Sequence, residues 1–405
     1  MKVLHVCYSD FDGGAARAAN RLHQAQINAG IDSYMLVVRK TTNDSRVIAV
    51  DKKTLLRVRV CALLSRLLLS RLTRSNPVKH SLNVLSTGMS KLINKLQPDV
   101  VNLHWVGDNM ISIGEISKIN APIVWTMHDM WAFSGCEHYD NYPELMRYKF
   151  NYQPLRENKL IDINRLIFNY KKRKWARKNI QFVSPSKWLG ECAKSTAIAA
   201  NRKIHIIQNP IDHQIYKPVD KMIARQLFGL PKDKKIVLFG AMSSKTDIRK
   251  GYHLLDKALL HLSTRNTSDY ALVIFGAEKK EMELTHGFDT YNLGVLHDEL
   301  SLRVLYSAAD VYVAPSLQDN LPNTLVESFA VGTPCVAFNI GGMPDLISQD
   351  EMGELVKSID GEELALSIER VLHKKNDHDF ICQISKSNRS GENIVNQYKS
   401  VYGHV

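Results

Sequence analysis

Asp319 and Glu327 stand eight residues apart in the tract 314–345, APSLQDNLPNTLVESFAVGTPCVAFNIGGMPD. The tract reads as a strand ending at Ala314, a polar loop carrying Asp319, and a helix beginning near Pro322, a residue favoured in a first turn. Glu327 falls early in that helix. Gly332-Thr333-Pro334 stops it and starts the next strand, which Gly341-Gly342 follows. A helix N-terminus turns N–H groups towards a phosphate. Two acids there would repel an anion. They make sense as acceptors for neutral hydroxyls, such as those of a sugar and a ribose. Helix capping plus a surface acid is the plainer alternative.

Three other segments carry candidate chemistry. Residues 236–251, IVLFGAMSSKTDIRKG, run from a strand through a glycine and polar loop to Arg249-Lys250-Gly251, which opens a helix. Cations at that end of a helix oppose its dipole unless an anion sits between them, and a diphosphate is the natural anion. Solvated surface charge is the alternative. In 122–133, PIVWTMHDMWAF, His128 lies just past an apolar strand beside Asp129 and two tryptophans. That mixture suits a polyol held by hydrogen bonds and ring packing. His104-Trp105 ends the preceding strand similarly. After the first strand, Gly13-Gly14 and the small residues behind it form either an anion or sugar approach or a plain tight turn; the full dinucleotide fingerprint is absent. Asp10 and Asp12 are two oxygen-bearing side chains, fewer than a hard divalent ion needs.

The elements that must position these residues alternate along the chain. Apolar runs at 3–8, 34–39, 47–50, 100–105, 123–127 and 180–183 are followed by a second series at 204–207, 236–239, 272–275, 311–314 and 335–338, with helical stretches between them. Such strands belong to parallel sheets covered on both faces. Two series predict an α/β protein of two doubly wound domains, divided near 200–212. Ligands bind beyond the carboxyl ends of such strands, so two facing sheets are expected to enclose a cleft. The last stretch, 391–402, is helical in character. It is expected to extend past the second domain, where it could pack back on the first.

A chain of 405 residues, 44% hydrophobic and 23% charged, is too long for one core and ordinary for a globular enzyme. Disordered, collagen-like and coiled-coil architectures are excluded. No run is long and apolar enough for a membrane span, and the N-terminus, MKVLHVCYSDFDGG, reads as a buried strand rather than a secretory signal. The six cysteines form no C-x-x-C pair and suit reduced, mostly buried thiols of a cytosolic protein. The net charge of +12 is uneven. Residues 1–200 hold 30 Lys+Arg against 15 Asp+Glu, or +15; the remaining 23 and 26 give −3. A basic half implies an anionic partner. Residues 52–79 carry Lys52, Lys53, Arg57, Arg59, Arg66, Arg71, Arg74 and Lys79 among leucines, with no acid. A second cluster is Lys171-Lys172-Arg173-Lys174 with Arg177-Lys178. Basic segments with leucines suit an anionic membrane surface; a solvated helix face is the alternative.

The tract 314–345 resembles the signature of the retaining glycosyltransferases of family 4, the glycosyl transferases group 1 domain. Asp319-x7-Glu327, Gly332-Thr333-Pro334 and Gly341-Gly342 carry the likeness. Gly240 with Arg249-Lys250-Gly251 resembles the family's donor-phosphate loop, His128 its cleft histidine and Gly13-Gly14 its glycine-rich first loop. Within the family, the Gly-Gly-Ala-Ala-Arg-Ala-Ala, His-Asp-Met-Trp and Asp-Asn-Leu-Pro-Asn-Thr tracts resemble bacterial polysaccharide transferases of the colanic-acid and O-antigen type.

The resemblance implies a GT-B fold: an acceptor-binding Rossmann-like domain at 1–205, a nucleotide-sugar domain at 206–390, and a terminal helix at 391–405. It implies metal-independent transfer with retention, and no cofactor, because the nucleoside-diphosphate sugar is a substrate. Carried over by position, Glu327 would hold the ribose, Asp319 the donor sugar, Lys250 and Arg249 the diphosphate, and His128 the transferred sugar. Gly14, Asn323 and Thr324 join the donor-binding set. Asp319, Lys250 and His128 form the catalytic set, and no residue is assigned to a metal. A lipid-diphosphate-linked saccharide acceptor, a cytoplasmic location at the inner face of the membrane and no nucleic-acid partner complete the expectation. Three features depart from the family: Asp319 replaces a longer glutamate, Ala241-Met242-Ser243 stand where an arginine is usual, and Cys136 alone stands close behind the His-Asp-Met-Trp tract, where relatives often have several cysteines. The rival readings are a nucleotide-sugar epimerase of the same fold and a basic nucleic-acid-binding protein.

Overall fold

The alternation of short apolar runs with helices builds two parallel sheets. The computed structural model describes residues 1–72, 78–140, 146–153, 162–240, 247–265, 267–276, 286–296 and 298–404, with the side chains of 71 and 72 excepted. Among these residues the chain divides into two units, Met1–Pro210 with Ile394–Val405, and Ile211–Asn393.

The first unit is built on β1 (Lys2–Ser9), β2 (Asp32–Arg39), β3 (Val47–Ala49), β4 (Val100–Leu103), β5 (Ile123–Thr126), β6 (Ile180–Ser184) and β7 (Ile204–Ile206). They pair in parallel in the order β3-β2-β1-β4-β5-β6-β7. Every residue of β4, β5 and β6 is buried, as befits strands covered on both faces. Helix α1 (Gly14–Asn28) crosses from β1 to β2, and α2 (Lys52–Leu72) follows β3. The last helix, Gly391–Gly403, seats Ile394, Val395, Tyr398, Val401 and Tyr402 against Val3, Val100, Val124 and Val183. That spacing is one face of a helix.

The second unit holds β8 (Lys235–Gly240), β9 (Tyr270–Phe275), β10 (Asp289–Asn292), β11 (Val311–Ala314), β12 (Cys335–Phe338) and β13 (Gly353–Val356). Their parallel order is β10-β9-β8-β11-β12-β13. In both sheets the winding reverses beside the first strand, between β1 and β4 and between β8 and β11. Ligand crevices of such sheets lie at that reversal.

The run at 204–207, counted with the second series, pairs with β6 instead and ends the first sheet. Alternation along a sequence does not say which sheet edge a strand joins. β10 and β13 lacked a sequence signal because both are edge strands, mostly half-exposed, with polar residues interleaved. The helix following Asp319 is Asn323–Ala330, with Pro322 as its N-cap in extended backbone rather than inside the first turn.

Candidate functional site

In the second unit the loops after β8, β11 and β12 are stitched together by backbone contacts. Leu317 N–H donates to the Arg249 carbonyl at 2.6 Å, and Gly342 N–H donates to the Asp319 carbonyl at 3.1 Å. Two glycines allow this closeness. Gly251 has φ +66°, and a Cβ there would lie 1.8 Å from the Pro315 oxygen; Gly341 has φ +56°, and its Cβ would lie 2.3 Å from the Asp319 oxygen. Only glycine fits such backbone without strain.

This stitching brings Lys250 and Asp319, 69 residues apart, into contact. Lys250 Nζ donates to Asp319 Oδ2 at 2.9 Å. The carboxylate holds the ammonium pKa above its usual range, against the pull of burial. Arg249 donates through Nε and Nη2 to Asp247 at 2.9 and 2.7 Å. The expectation that these cations require an anion is therefore met, within this chain, by Asp247 and Asp319. A bound diphosphate would join or displace those carboxylates rather than fill an uncompensated charge. Lys250 spends one of three ammonium hydrogens on Asp319, which leaves room for phosphate oxygens.

Glu327 is 2% exposed, and its Oε2 accepts from the Tyr306 hydroxyl at 3.0 Å. Burial, reinforced by the Glu327 charge, raises the Tyr306 pKa far above the ordinary phenol value, so the phenol remains a donor. Tyr306 stands edge-on to Tyr312, whose hydroxyl is hydrogen-bonded with Thr324. Asn323 is the first helical residue and Thr324 the second, and Pro322 gives the helix no side-chain cap. Asp247, Tyr306 and Tyr312 were not singled out in the sequence. Asp247 reads there as an ordinary turn acid, and nothing in a buried tyrosine's sequence context reveals its hydroxyl partner. Ala241-Met242-Ser243 lie outside the described residues.

In the first unit, His128 follows β5 and is half-buried. Its Nε2 lies 3.0 Å from His104 Nδ1, so the structure joins the two histidines that the sequence placed after neighbouring strands. Burial pushes the His128 pKa down to about 4 and that of His104 well below the usual range, so both rings are neutral near pH 7. Asp129 Oδ2 accepts from Trp105 Nε1 at 2.8 Å and lies 2.6 Å from His138 Nδ1. With His104, Trp105, His128, Trp131 and His138 it lines a small recess. The tryptophans of the 122–133 tract do not lie open for ring packing on a polyol. Trp125 and Trp131 are each 2% exposed, with indole N–H groups donated to the His104 and Ser81 carbonyls. They are core residues that wall the recess.

Gly14 is the first residue of α1, behind Gly13, which takes φ +90° as N-cap. Asp10 is a loop anchor: its carboxylate accepts from the N–H and hydroxyl groups of Thr41 and Thr42. Asp12 pairs with Arg39 at 3.0 Å. Cys136 is buried against the Asn164 side chain, and all six cysteines are free thiols.

The two basic segments part company. Along α2, Thr54, Val58, Cys61 and Ser65 face the core. Leu56, Val60, Leu63, Leu64 and Leu67 form an apolar stripe that is exposed, each between 47% and 63%. Lys52, Lys53, Arg57, Arg59 and Arg66 are exposed beside it. The side chain of Arg71 and all of Arg74 lie outside the described residues. Lys79 pairs with Asp108 at 2.8 Å. In the second cluster, Lys171 corrects the expectation of a surface cation. It is fully buried, donates to the carbonyls of Trp131 and Gly135, and lies over the Trp131 ring. Lys172, Arg173, Lys174 and Arg177 remain exposed. Among the described residues, no helix is long and apolar enough to cross a membrane.

Residues 12–215 match the Glycosyltransferase Family 4 model, and residues 220–388 match Glycosyl transferases group 1. The chain is similar over 97% of its length, and 97% of the relative's, to a putative colanic acid biosynthesis glycosyl transferase of Escherichia coli, at 23% identity. It is 25% identical to an uncharacterized glycosyltransferase of Methanocaldococcus jannaschii over 55% of this chain and 59% of that one. A D-inositol 3-phosphate glycosyltransferase of Xylanimonas cellulosilytica is 28% identical over 39% of this chain and 40% of that one. The chain thus spans about two fifths to three fifths of these two curated relatives. Among solved structures it resembles a sucrose-phosphate synthase from Thermosynechococcus elongatus, with a TM-score of 0.67 and 17% identity over 100% of this chain and 99% of that one. It also resembles HepE of Anabaena, solved in complex with UDP-glucose, with a TM-score of 0.65 and 16% identity over 100% of both chains. These likenesses identify the fold as GT-B, two Rossmann-like units. Matched along both units, the chain belongs to the family 4 glycosyltransferases and carries their group 1 domain.

Proposed function

We propose that this chain moves a sugar from a nucleoside diphosphate to a saccharide acceptor carried on a lipid diphosphate, with retention and without a metal, in the assembly of a bacterial surface polysaccharide. The observation that carries the reading is the Lys250–Asp319 pair at the winding reversal of the second sheet, with Arg249 beside it and a helix N-terminus at Asn323.

The leaving group is the nucleotide's β-phosphate, which gains negative charge as the glycosidic bond breaks. Lys250, Arg249 and the amides of the 323–330 helix stabilise that charge more in the transition state than in the ground state. Asp319, oriented by Lys250, accepts hydrogen bonds from the donor sugar. Glu327, held by Tyr306, takes the ribose hydroxyls, with Asn323 and Thr324 nearby. In the first unit His128 takes the transferred sugar, and Gly14 lets backbone approach a ligand at the start of α1. The departing phosphate oxygen receives the acceptor's proton on the face it leaves, which gives retention. Attack by Asp319 is the competing route; its Oδ2 is already engaged by Lys250, which lowers its nucleophilicity. The exposed leucines and cations of α2 fit the headgroups of an anionic membrane, where a lipid-linked acceptor resides.

The test is a panel of nucleoside-diphosphate sugars, scored by thermal shift and by release of the nucleoside diphosphate with and without lipid-linked acceptor. Stabilisation by one donor, with release that depends on acceptor, is expected. Donor-only conversion to an epimer, or no response across the panel, would remove the reading.

A further inference from the structure

His128 is the end of a buried row. His104 Nδ1 meets His128 Nε2 at 3.0 Å, and His104 Nε2 meets His5 Nδ1 at 2.8 Å. His5 Nε2 meets Gln26 Oε1 at 2.9 Å, and Gln26 Nε2 donates to the Tyr402 hydroxyl oxygen at 3.0 Å. His5, Gln26 and Asn102 are fully buried, His104 is 2% exposed and Tyr402 4%.

The direction of every hydrogen in this row follows from one end. The Asn102 side chain faces the Leu103 and Val124 carbonyls at 3.3 Å each. Carbonyls only accept, so the amide nitrogen points at them and the amide oxygen accepts from the Tyr402 hydroxyl at 2.9 Å. Having donated its hydrogen, Tyr402 accepts from Gln26, whose oxygen then accepts from His5 Nε2. A neutral histidine with a hydrogen on Nε2 has a lone pair on Nδ1. His5 therefore accepts from His104 Nε2, and His104 from His128 Nε2. Burial keeps the rings neutral, with the His5 pKa lowered to about 3. Other charges nearby are already engaged: Asp44 lies 3.6 Å from His23, and Asp129 2.6 Å from His138.

We propose that this row locks His128 as the neutral Nε2–H tautomer, so that Nδ1 is an acceptor for a sugar hydroxyl, and that Tyr402, Gln26, His5 and His104 are positioning residues for it. The inference rests on His128 contacting the transferred sugar. A neutral acceptor suits that place, because the anomeric carbon becomes positive in the transition state and an imidazolium would repel it. The row also ties the last helix to the site, since Tyr402 supplies the link between the Asn102 anchor and Gln26.

The experiment uses the full chain labelled with 15N-histidine, read by long-range 1H–15N correlation at pH 7, with His128 assigned by its loss in His128→Gln. An unprotonated Nδ1 and a protonated Nε2 on His128 are expected. A hydrogen on Nδ1, or an imidazolium, would overturn the lock. His5→Phe removes the acceptor for His104 and should release the Nδ1–H form of His128, with kcat falling about tenfold, the value of one net hydrogen bond. His5→Gln restores an acceptor and should restore both. An unchanged His128 signature in folded His5→Phe would also overturn the lock. If His5→Phe does not fold, the wild-type signature still decides. The locked tautomer found together with full activity in His128→Gln would sink the sugar contact while leaving the lock intact.

Discussion

Lys250, Glu327 and Gly251 separate chemistry from architecture. Lys250→Ala and Glu327→Gln should each lower turnover at least tenfold with the melting temperature nearly kept, because in the proposed reaction one removes a phosphate donor and the other a charge-assisted ribose bond. Wild-type turnover in either would remove that residue from the site. Gly251→Ala should act differently. Its Cβ would meet the Pro315 oxygen at 1.8 Å in a backbone with φ +66°, costing roughly 2–3 kcal/mol or more, seen as a lower denaturation midpoint. The buried histidines set a pH response. His5 and His128 are lowered to about 3 and about 4, so below pH 6.5 the unfolded chain binds protons that the folded chain refuses. Their contribution is complete above pH 6.5 and is lost as the pH falls, by at most about 2 kcal/mol per ring at pH 5. Denaturant midpoints at pH 7.5 and pH 5 would show it, and a smaller difference is expected in His128→Gln.

Among the elements, α2 is the sharpest case. Its exposed apolar stripe, set apart from the buried Thr54, Val58, Cys61 and Ser65, predicts that Leu63→Glu with Leu67→Glu weakens binding to vesicles containing anionic lipids at least tenfold, with stability changed by less than about 0.5 kcal/mol. Unchanged vesicle binding would leave the exposed stripe without its membrane. The sequence announced α2 as basic and leucine-rich, but not that Leu56, Leu63, Leu64 and Leu67 would face outward while Thr54, Val58, Cys61 and Ser65 face the core. The central strands of both sheets were legible because burial on two faces leaves continuous apolar runs. The edge strands β10 and β13 were not, because half-exposed strands interleave polar residues. Likewise, Lys171 looked like its neighbours until its helix placed it inward over Trp131. The site loops were legible through their glycines and charges. The pairing of Lys250 with Asp319 and the histidine row were not, because they join segments 69 and about 100 residues apart in the chain.

For the whole molecule, the chain's return to the first unit in its final helix is a structural commitment. Five buried side chains of Gly391–Gly403 cover β1, β4, β5 and β6. Removing that helix should destabilise the first unit by several kcal/mol, so that hydrogen exchange quickens in its sheet before the sheet of the second unit responds. Equal protection in both sheets would show that the helix contributes little. The assignment of the second unit as the donor site carries the rest of the functional reading. It can be examined in a crystal of the full chain soaked with the nucleoside-diphosphate sugar that most raises its melting temperature. The diphosphate is expected within hydrogen-bond distance of Lys250 Nζ, with the ribose against Glu327. A well-ordered donor bound away from residues 247–327 would refute that assignment.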